Sequence, residues 1–188
     1  MEKRLFTYFL FGILAMGLVV ILISLLEPKG KKINLQEVSF STKEGSQLYF
    51  KNMRSFFYDK EVREDANFIL YRIDSRELDS AENDLSFVLI SNWLQSESYI
   101  MAESRFNFNE SWPLEIHWEN KTDEGVLQLT EKDSYSNYVF AAQLYEQLTT
   151  GSALTLKFKE VKHSLTEKEL KSLKKTLKDY FKLVGKLR

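Results

Sequence analysis

The most constraining feature of the sequence is an uncharged, largely apolar run of 22 residues from Leu5 to Leu26. A helix needs about 20 such residues to cross a bilayer, and Pro28 and Gly30 are typical residues just past a helix end. We therefore predict a transmembrane anchor over residues 5–26, with a short tail (1–4) before it and a linker (27–32) after it.

Two other interpretations of this run are a cleaved secretory signal and a buried helix of a soluble protein. Lys3 and Arg4 do provide a basic n-region. However, secretory h-regions span about 7 to 15 residues and end in a small-x-small cleavage site, and the sequence from Val19 to Leu26 contains no such site. An uncleaved signal-anchor is the better interpretation.

The charges on the two sides of the run give a weak prediction of orientation. Lys3, Arg4 and the amino terminus lie before it, and Lys29, Lys31 and Lys32 lie after it, so the positive-inside rule is nearly balanced. An anchor with so short a preceding tail usually keeps that tail in the cytoplasm. We expect a single-pass protein whose body lies outside the cytoplasm, in the periplasm or another compartment of the cell envelope.

The composition excludes several classes of function. The chain has no cysteine, which rules out disulfides, thiolate metal sites and cysteine nucleophiles. Residues 33–188 have the length of one domain. Residues 33–159 carry a net charge of -9, whereas residues 160–188 carry +5. Because nucleic-acid binding requires clustered basic residues, the acidic body predicts no nucleic-acid partner, and no motif predicts a cofactor.

The middle of the chain has the pattern of an antiparallel β protein. Short apolar or alternating runs are separated by polar breaks, and their length favours strands over helices. The predicted strands are Ile33–Ser41, Gln47–Asn52, Ala66–Ile73, Leu85–Trp93, Ser98–Ala102, Leu114–Trp118 and Val126–Thr130. Arg54–Asp65 fits either a strand or a short helix. A sandwich or an open barrel is the expected arrangement.

The last third of the chain changes to a helical period. Tyr138–Leu148 predicts a helix that ends at Gly151, and Ser152–Phe158 predicts one more strand. Ser164 and Glu167 have the spacing of a capping box, so we predict a closing helix over residues 164–187. The predicted fold class is α+β: an N-terminal transmembrane helix followed by a mainly antiparallel, β-sandwich-like domain with two C-terminal helices.

The closing helix is predicted to be amphipathic and basic. Its apolar stripe consists of Leu170, Leu173, Leu177, Phe181, Val184 and Leu187, and its opposite face carries Lys168, Lys171, Lys174, Lys175, Lys178, Lys182 and Lys186. Such a helix can lie on anionic lipid headgroups or dock to an acidic surface of a partner. It can also be an ordinary surface helix whose leucines cover the sheet, which is the interpretation we favour.

The sequence contains few candidates for catalysis. Only His117 and His163 could serve a histidine-dependent site, and no motif of a common enzyme class is present. Strand alternation places Glu115, His117 and Glu119 on one face, about 6.5 to 7 Å apart in succession. Two carboxylates beside an imidazole can bind a divalent cation or act as general acid and base. A solvated strand face has the same pattern, and we favour that reading.

These observations predict a non-enzymatic, membrane-anchored interaction module, acting as an accessory subunit or an assembly and scaffold factor of a membrane complex. Its partners would be the lipid bilayer, through residues 5–26, and other membrane or envelope proteins. The alternative is an anchored hydrolase or divalent-cation-dependent enzyme that uses Glu115, His117 and Glu119. That alternative requires the three residues to line a concave pocket and not an open convex face.

Overall fold

Two four-stranded antiparallel sheets and two long helices make up the body of the protein. The computed structural model describes residues 32–73, 85–104, 113–158 and 161–187. The predicted anchor, residues 5–26, lies outside these ranges. Among the helices within them, none combines the length and the apolar character that a membrane crossing requires.

The first sheet is a simple meander in the order β1-β2-β3-β4. Its strands are β1 (Tyr58–Arg63), β2 (Phe68–Ile73), β3 (Leu85–Asn92) and β4 (Glu97–Ser104). On the outer side of this sheet Arg72 donates hydrogen bonds to Glu61 and, through two nitrogens, to Glu103, at 2.8 Å each. These bonds link β1, β2 and β4, so they reach across β3. The edge strand β4 is extended by one antiparallel bridge between Glu97 and Ser41.

The second sheet has the order β6-β5-β7-β8. Its strands are β5 (Leu114–Glu119), β6 (Glu124–Leu129), β7 (Ala153–Phe158) and β8 (Val161–Ser164). The hairpin β5–β6 is followed by a helix, and β7 then returns to pair with β5 on its other side. Strand β5 is therefore central, with a partner on each edge.

Three helical elements complete the body. Helix α1 (Glu44–Tyr49) continues into a π-helical turn (Phe50–Arg54) and a 3₁₀ turn (Ser55–Phe57); we call residues 44–57 the helical segment. Helix α2 (Ser134–Thr150) begins at Asp133, whose carboxylate accepts from the amides of Tyr135 and Ser136. It ends at Gly151, which has a φ of 78°. Helix α3 is Glu167–Leu183.

The helices fill the core from the side of the first sheet. Helix α2 packs on β4, β6 and α3, and α3 packs on β3 and β4. Tyr138 of α2 meets Tyr180 and Phe181 of α3 edge to face, with ring centroids 6.1 and 5.5 Å apart. Asn137 fixes α2 to the sheet edge, since its side-chain oxygen accepts from the amide of Ala102 at 2.9 Å. Large aromatic side chains thus hold the layers together.

The antiparallel sheets and the two C-terminal helices are confirmed. Two predicted strands were wrong. Gln47–Asn52 is helical, because this run buries only Phe50 and so matches no strand face. In Ile33–Ser41 only Ser41 forms a bridge. Strand β8 was not predicted.

The closing helix is capped two residues after the predicted position. Ser164 pairs with Thr155 in the β7–β8 hairpin, so it is not available to begin a helix. Thr166 caps the helix instead: its hydroxyl accepts from the amide of Glu169, and the Glu169 carboxylate accepts from the amide of Thr166. The capping-box chemistry is the one expected, with different residues.

Candidate functional site

Glu115, His117 and Glu119 lie on one face of the central strand β5, and Leu114 and Ile116 point to the core from the other face. The Glu115 carboxylate accepts a hydrogen bond from the Gln128 side chain at 2.7 Å. Its second oxygen lies 3.9 Å from His117 Nε2 and 4.0 Å from Lys157 Nζ. Both oxygens of this carboxylate therefore already face polar groups of the neighbouring strands.

The surroundings of these three residues do not form a cation site. A depression of about 610 Å³ on this side of the second sheet is lined by residues that include His117, Glu119, Thr155 and Lys162, but not by Glu115. Within the described ranges, no group of three or more Asp, Glu, His or Cys side chains is placed to hold a metal ion. The side chain of His117 is 41% exposed. The face is polar and partly exposed, although the Nε2 atom of His117 is itself buried and makes no hydrogen bond to a described residue. Only His117 and Glu119 of the three border the depression.

A different surface stands out by its exposed apolar side chains. In the described part of the chain nine large hydrophobic side chains are exposed, and five of them belong to the helical segment. Phe56 and Met53 are 74% and 59% exposed, and Leu48 and Tyr49 are about half exposed. We call Leu48, Tyr49, Met53 and Phe56 the apolar surface. Single exposed hydrophobic residues are normal, but a cluster of them marks an interaction site.

The inner side of the helical segment is fixed to the first sheet. Phe50 is buried and packs against Tyr71, edge to face at 5.1 Å, and against Tyr58 at 5.7 Å. Because the segment has only one buried aromatic anchor in its first two turns, its other apolar residues have no place in the core. The apolar surface is the outer side of an element whose inner side is well packed.

A buried polar cluster joins this segment to α3. Asp179 of α3 is only 5% exposed. Its carboxylate accepts two-pronged hydrogen bonds from Arg54, at 2.9 to 3.0 Å, and one from the Tyr58 hydroxyl at 2.8 Å. The hydrogen bond to Asp179 raises the pKa of Arg54. Burial, reinforced by the Asp179 charge, raises the pKa of Tyr58 well above its usual range.

The same junction borders the lysines of α3. The ring of Phe57 lies between two cations, with Lys175 Nζ 3.8 Å and the Arg54 guanidinium carbon 4.8 Å from its centroid. Cation–π contacts of this kind restrain long side chains. A cavity of about 300 Å³ lies between the segment and α3, bordered by Tyr49, Arg54 and Lys182 among others. The predicted leucine stripe is turned inward, with Leu173, Leu177 and Phe181 buried.

Sequence reasoning did not find the apolar surface or the buried cluster. The sequence predicts a strand over Leu48-Tyr49-Phe50 and fits either a strand or a helix over Phe56-Phe57-Tyr58. The available signal was the density of large apolar residues over Leu48–Tyr58, which exceeds what one face of a short element can bury. Arg54 and Asp179 are 125 residues apart, and no local pattern connects them.

No protein-family model, curated protein or solved structure matches this chain.

Proposed function

We propose that this chain is a membrane-anchored, non-enzymatic interaction module that acts as an accessory subunit or an assembly and scaffold factor of a membrane protein complex. In this proposal residues 5–26 span the bilayer as a helix, with the amino terminus in the cytoplasm. The two antiparallel sheets form a sandwich-like body outside the cytoplasm. The body binds a membrane or envelope protein through the apolar surface.

The exposed cluster of Leu48, Tyr49, Met53 and Phe56 is the observation that carries this proposal. Burying a large apolar side chain stabilises a complex by roughly 1.5 to 3 kcal/mol relative to leaving it in water. Aromatic residues and methionine are enriched at interfaces for this reason. Four such residues on one element supply the central contacts that a stable interface needs.

The apolar surface is also formed before any partner arrives. Phe50 packs into the first sheet, and Arg54 is bonded to Asp179 of α3, so the segment is held at both its middle and its end. Binding to an ordered surface avoids the entropy of ordering a loop. This favours a role in stable assembly.

The enzyme alternative has less support from the geometry. His117 and Glu119 border a depression, which favours it, but Glu115 lies outside that lining and is engaged by Gln128. Acid and base catalysis needs the acting groups to converge on one reacting atom. Glu124, which pairs with Glu119 on the neighbouring strand, also borders the depression. Even so, within the described ranges no three such side chains are placed to hold a metal ion.

The proposal is tested by isolating the tagged full-length protein from its native membrane in mild detergent and identifying co-eluting proteins by mass spectrometry. We expect a stoichiometric membrane complex. The double substitution Met53→Ser with Phe56→Ser should remove the partner, since it deletes the two most exposed apolar side chains of the surface.

The matched control is Leu94→Ser with Val126→Ser, which removes two exposed apolar residues outside the apolar surface. The control should retain the partner in full amount. The proposal is overturned if the wild-type protein elutes alone, or if both double variants keep the same partner equally well.

A further inference from the structure

The charges of α3 are sorted by side. Of its three carboxylates, Glu169 and Asp179 are buried, at 3% and 5% exposure, and only Glu167 is exposed. Glu169 is used in the helix cap, and Asp179 is used in the buried cluster with Arg54. The lysines point the other way. We define the lysine face as the exposed residues Lys168, Lys171, Lys174 and Lys178.

The acidic body does not neutralise the lysine face. None of its four lysines forms an ion pair with any residue in the described part of the chain, whereas Lys186 and Lys32 reach Glu37 and Glu146 at 3.8 and 2.9 Å. Ordinary protein surfaces mix the two signs of charge. The exposed Glu167 lies four residues before Lys171, on the same side of the helix, so this side carries four lysines and one glutamate and keeps a net charge of +3. A net basic helix face beside an acidic body produces a directed electrostatic field, which attracts an anionic surface.

We propose that the lysine face adsorbs on the anionic headgroups of the membrane that holds the protein. This inference rests on the membrane location given in the proposed function. The leucine stripe of α3 is buried against the first sheet, so the helix cannot insert its apolar side into lipid. Contact with the membrane is therefore electrostatic and stays at the depth of the headgroups.

A lipid surface fits this face better than an acidic protein does. The four lysines are spread over eleven residues of one helix, about 15 Å along its axis, and each is a flexible point charge with rotatable donors. An acidic partner protein would be recognised specifically through contacts of fixed geometry among these charges, such as bidentate hydrogen-bond donors or an apolar recess. Lipid headgroups move laterally and need no such shape. Polybasic faces of four to eight residues bind anionic lipids in this way.

The membrane docking of the lysine face is measured with the full-length wild-type protein in lipid nanodiscs. One set contains phosphatidylcholine only, and the other contains 30% phosphatidylglycerol by choice of composition. Both are treated with an anionic, amine-acetylating reagent, and mass spectrometry gives the modification rate of each lysine. A surface potential of about -30 to -50 mV depletes a monovalent anion about three- to sevenfold at the membrane.

We expect Lys168, Lys171, Lys174 and Lys178 to react about three- to sevenfold more slowly in the anionic discs than in the neutral ones. The exposed lysines outside α3, Lys43, Lys60, Lys121 and Lys162, serve as internal controls and should change by much less. Raising the salt to about 0.5 M should abolish the difference, because screening shortens the range of the interaction to a few ångströms.

Three results would overturn the inference. Equal rates in both discs would show that the face does not meet the lipid. Slowing of the control lysines to the same extent would show a general effect of the disc. Slowing only after addition of the co-purified partner would assign the face to an acidic protein surface.

A failure of the anchor is distinguished from a failure of this inference by an alkaline carbonate wash of proteoliposomes. If the chain is washed out, the anchor proposal fails, and the lysine rates recorded with anionic vesicles before the wash still test the lysine face. If the chain is retained and the rates are unchanged, only the inference about the lysine face fails.

Discussion

The molecule contains two clusters of charged and polar side chains that differ in almost every physical respect. Glu115, His117 and Glu119 lie within five residues of one strand on a partly exposed face, and Glu115 and His117 approach each other only to 3.9 Å. Arg54, Tyr58 and Asp179 come from distant parts of the chain and are bonded at 2.8 to 3.0 Å; Tyr58 and Asp179 are buried, and the Arg54 side chain is 23% exposed. A cluster whose residues are close in sequence is easy to predict from the sequence. Burial determines how much a cluster contributes to stability.

The energetic difference follows from the solvent around each cluster. In water the interaction between two charges is weak and screened, and exposed pairs contribute about 0 to 1 kcal/mol. Inside the protein an ion pair compensates for the desolvation of both partners, so the loss of one partner leaves an unpaired buried charge. The following predictions would break or sharpen this contrast.

The largest effect is expected for Asp179→Ala. This change leaves the Arg54 guanidinium and the Tyr58 hydroxyl without their acceptor, so the free energy of unfolding should fall by about 3 to 5 kcal/mol. Urea unfolding of the full-length protein in detergent, followed by tryptophan fluorescence, measures it. A loss below about 1 kcal/mol would mean that water reaches Arg54 freely and that the cluster is not a buried one.

Alkaline pH should destabilise the fold through its buried tyrosines. Burial raises the pKa of Tyr138 to about 12 and also raises the pKa values of Tyr58 and Tyr180. Above pH 10, the ordinary tyrosine value, the unfolded chain loses protons that the folded chain keeps, so stability falls as pH rises. Below pH 10 these groups have no such effect.

The variant Tyr138→Phe should reduce this alkaline decline by about 1 to 2 kcal/mol at pH 12 and leave the pH dependence below 9 unchanged. Unfolding curves recorded between pH 8 and 12 provide the measurement. Parallel curves for the variant and the wild type would contradict the assignment of the decline to Tyr138.

A smaller effect is expected for Tyr58→Phe. The ring still packs against Phe50 and Tyr71, and Asp179 keeps both bonds to Arg54, so only one hydrogen bond is lost. The expected decrease is about 1 kcal/mol, again from urea unfolding. A decrease as large as that of Asp179→Ala would mean that the hydroxyl, and not the guanidinium, compensates the carboxylate.

The smallest effects are expected at the exposed cluster. Glu115→Gln, His117→Gln and Glu119→Gln should each change the free energy of unfolding by less than about 0.5 kcal/mol, and the triple variant should keep its co-purifying partner. If the triple variant instead loses a hydrolytic or cation-dependent activity that the wild type shows, the enzyme alternative replaces the interaction module.

Local patterns were sufficient for much of the fold. The strands β2 to β7 follow from short apolar or alternating runs, and the end of α2 follows from Gly151, because both depend on neighbouring residues alone. The helical segment was not predicted, because its type is decided by the burial of Phe50 under the first sheet. The burial of Asp179 shows the same limit, because its partners Arg54 and Tyr58 lie 125 and 121 residues away in the sequence.

The attachment of the helical segment at Phe50 and Arg54 has a consequence for binding kinetics. A partner that meets a surface already in its bound form needs no slow rearrangement, so encounter sets the association rate. Differences in affinity among variants of Leu48, Met53 and Phe56 should then lie in how long the complex survives. The buried bonds to Asp179 thus affect how fast a contact forms that they never touch.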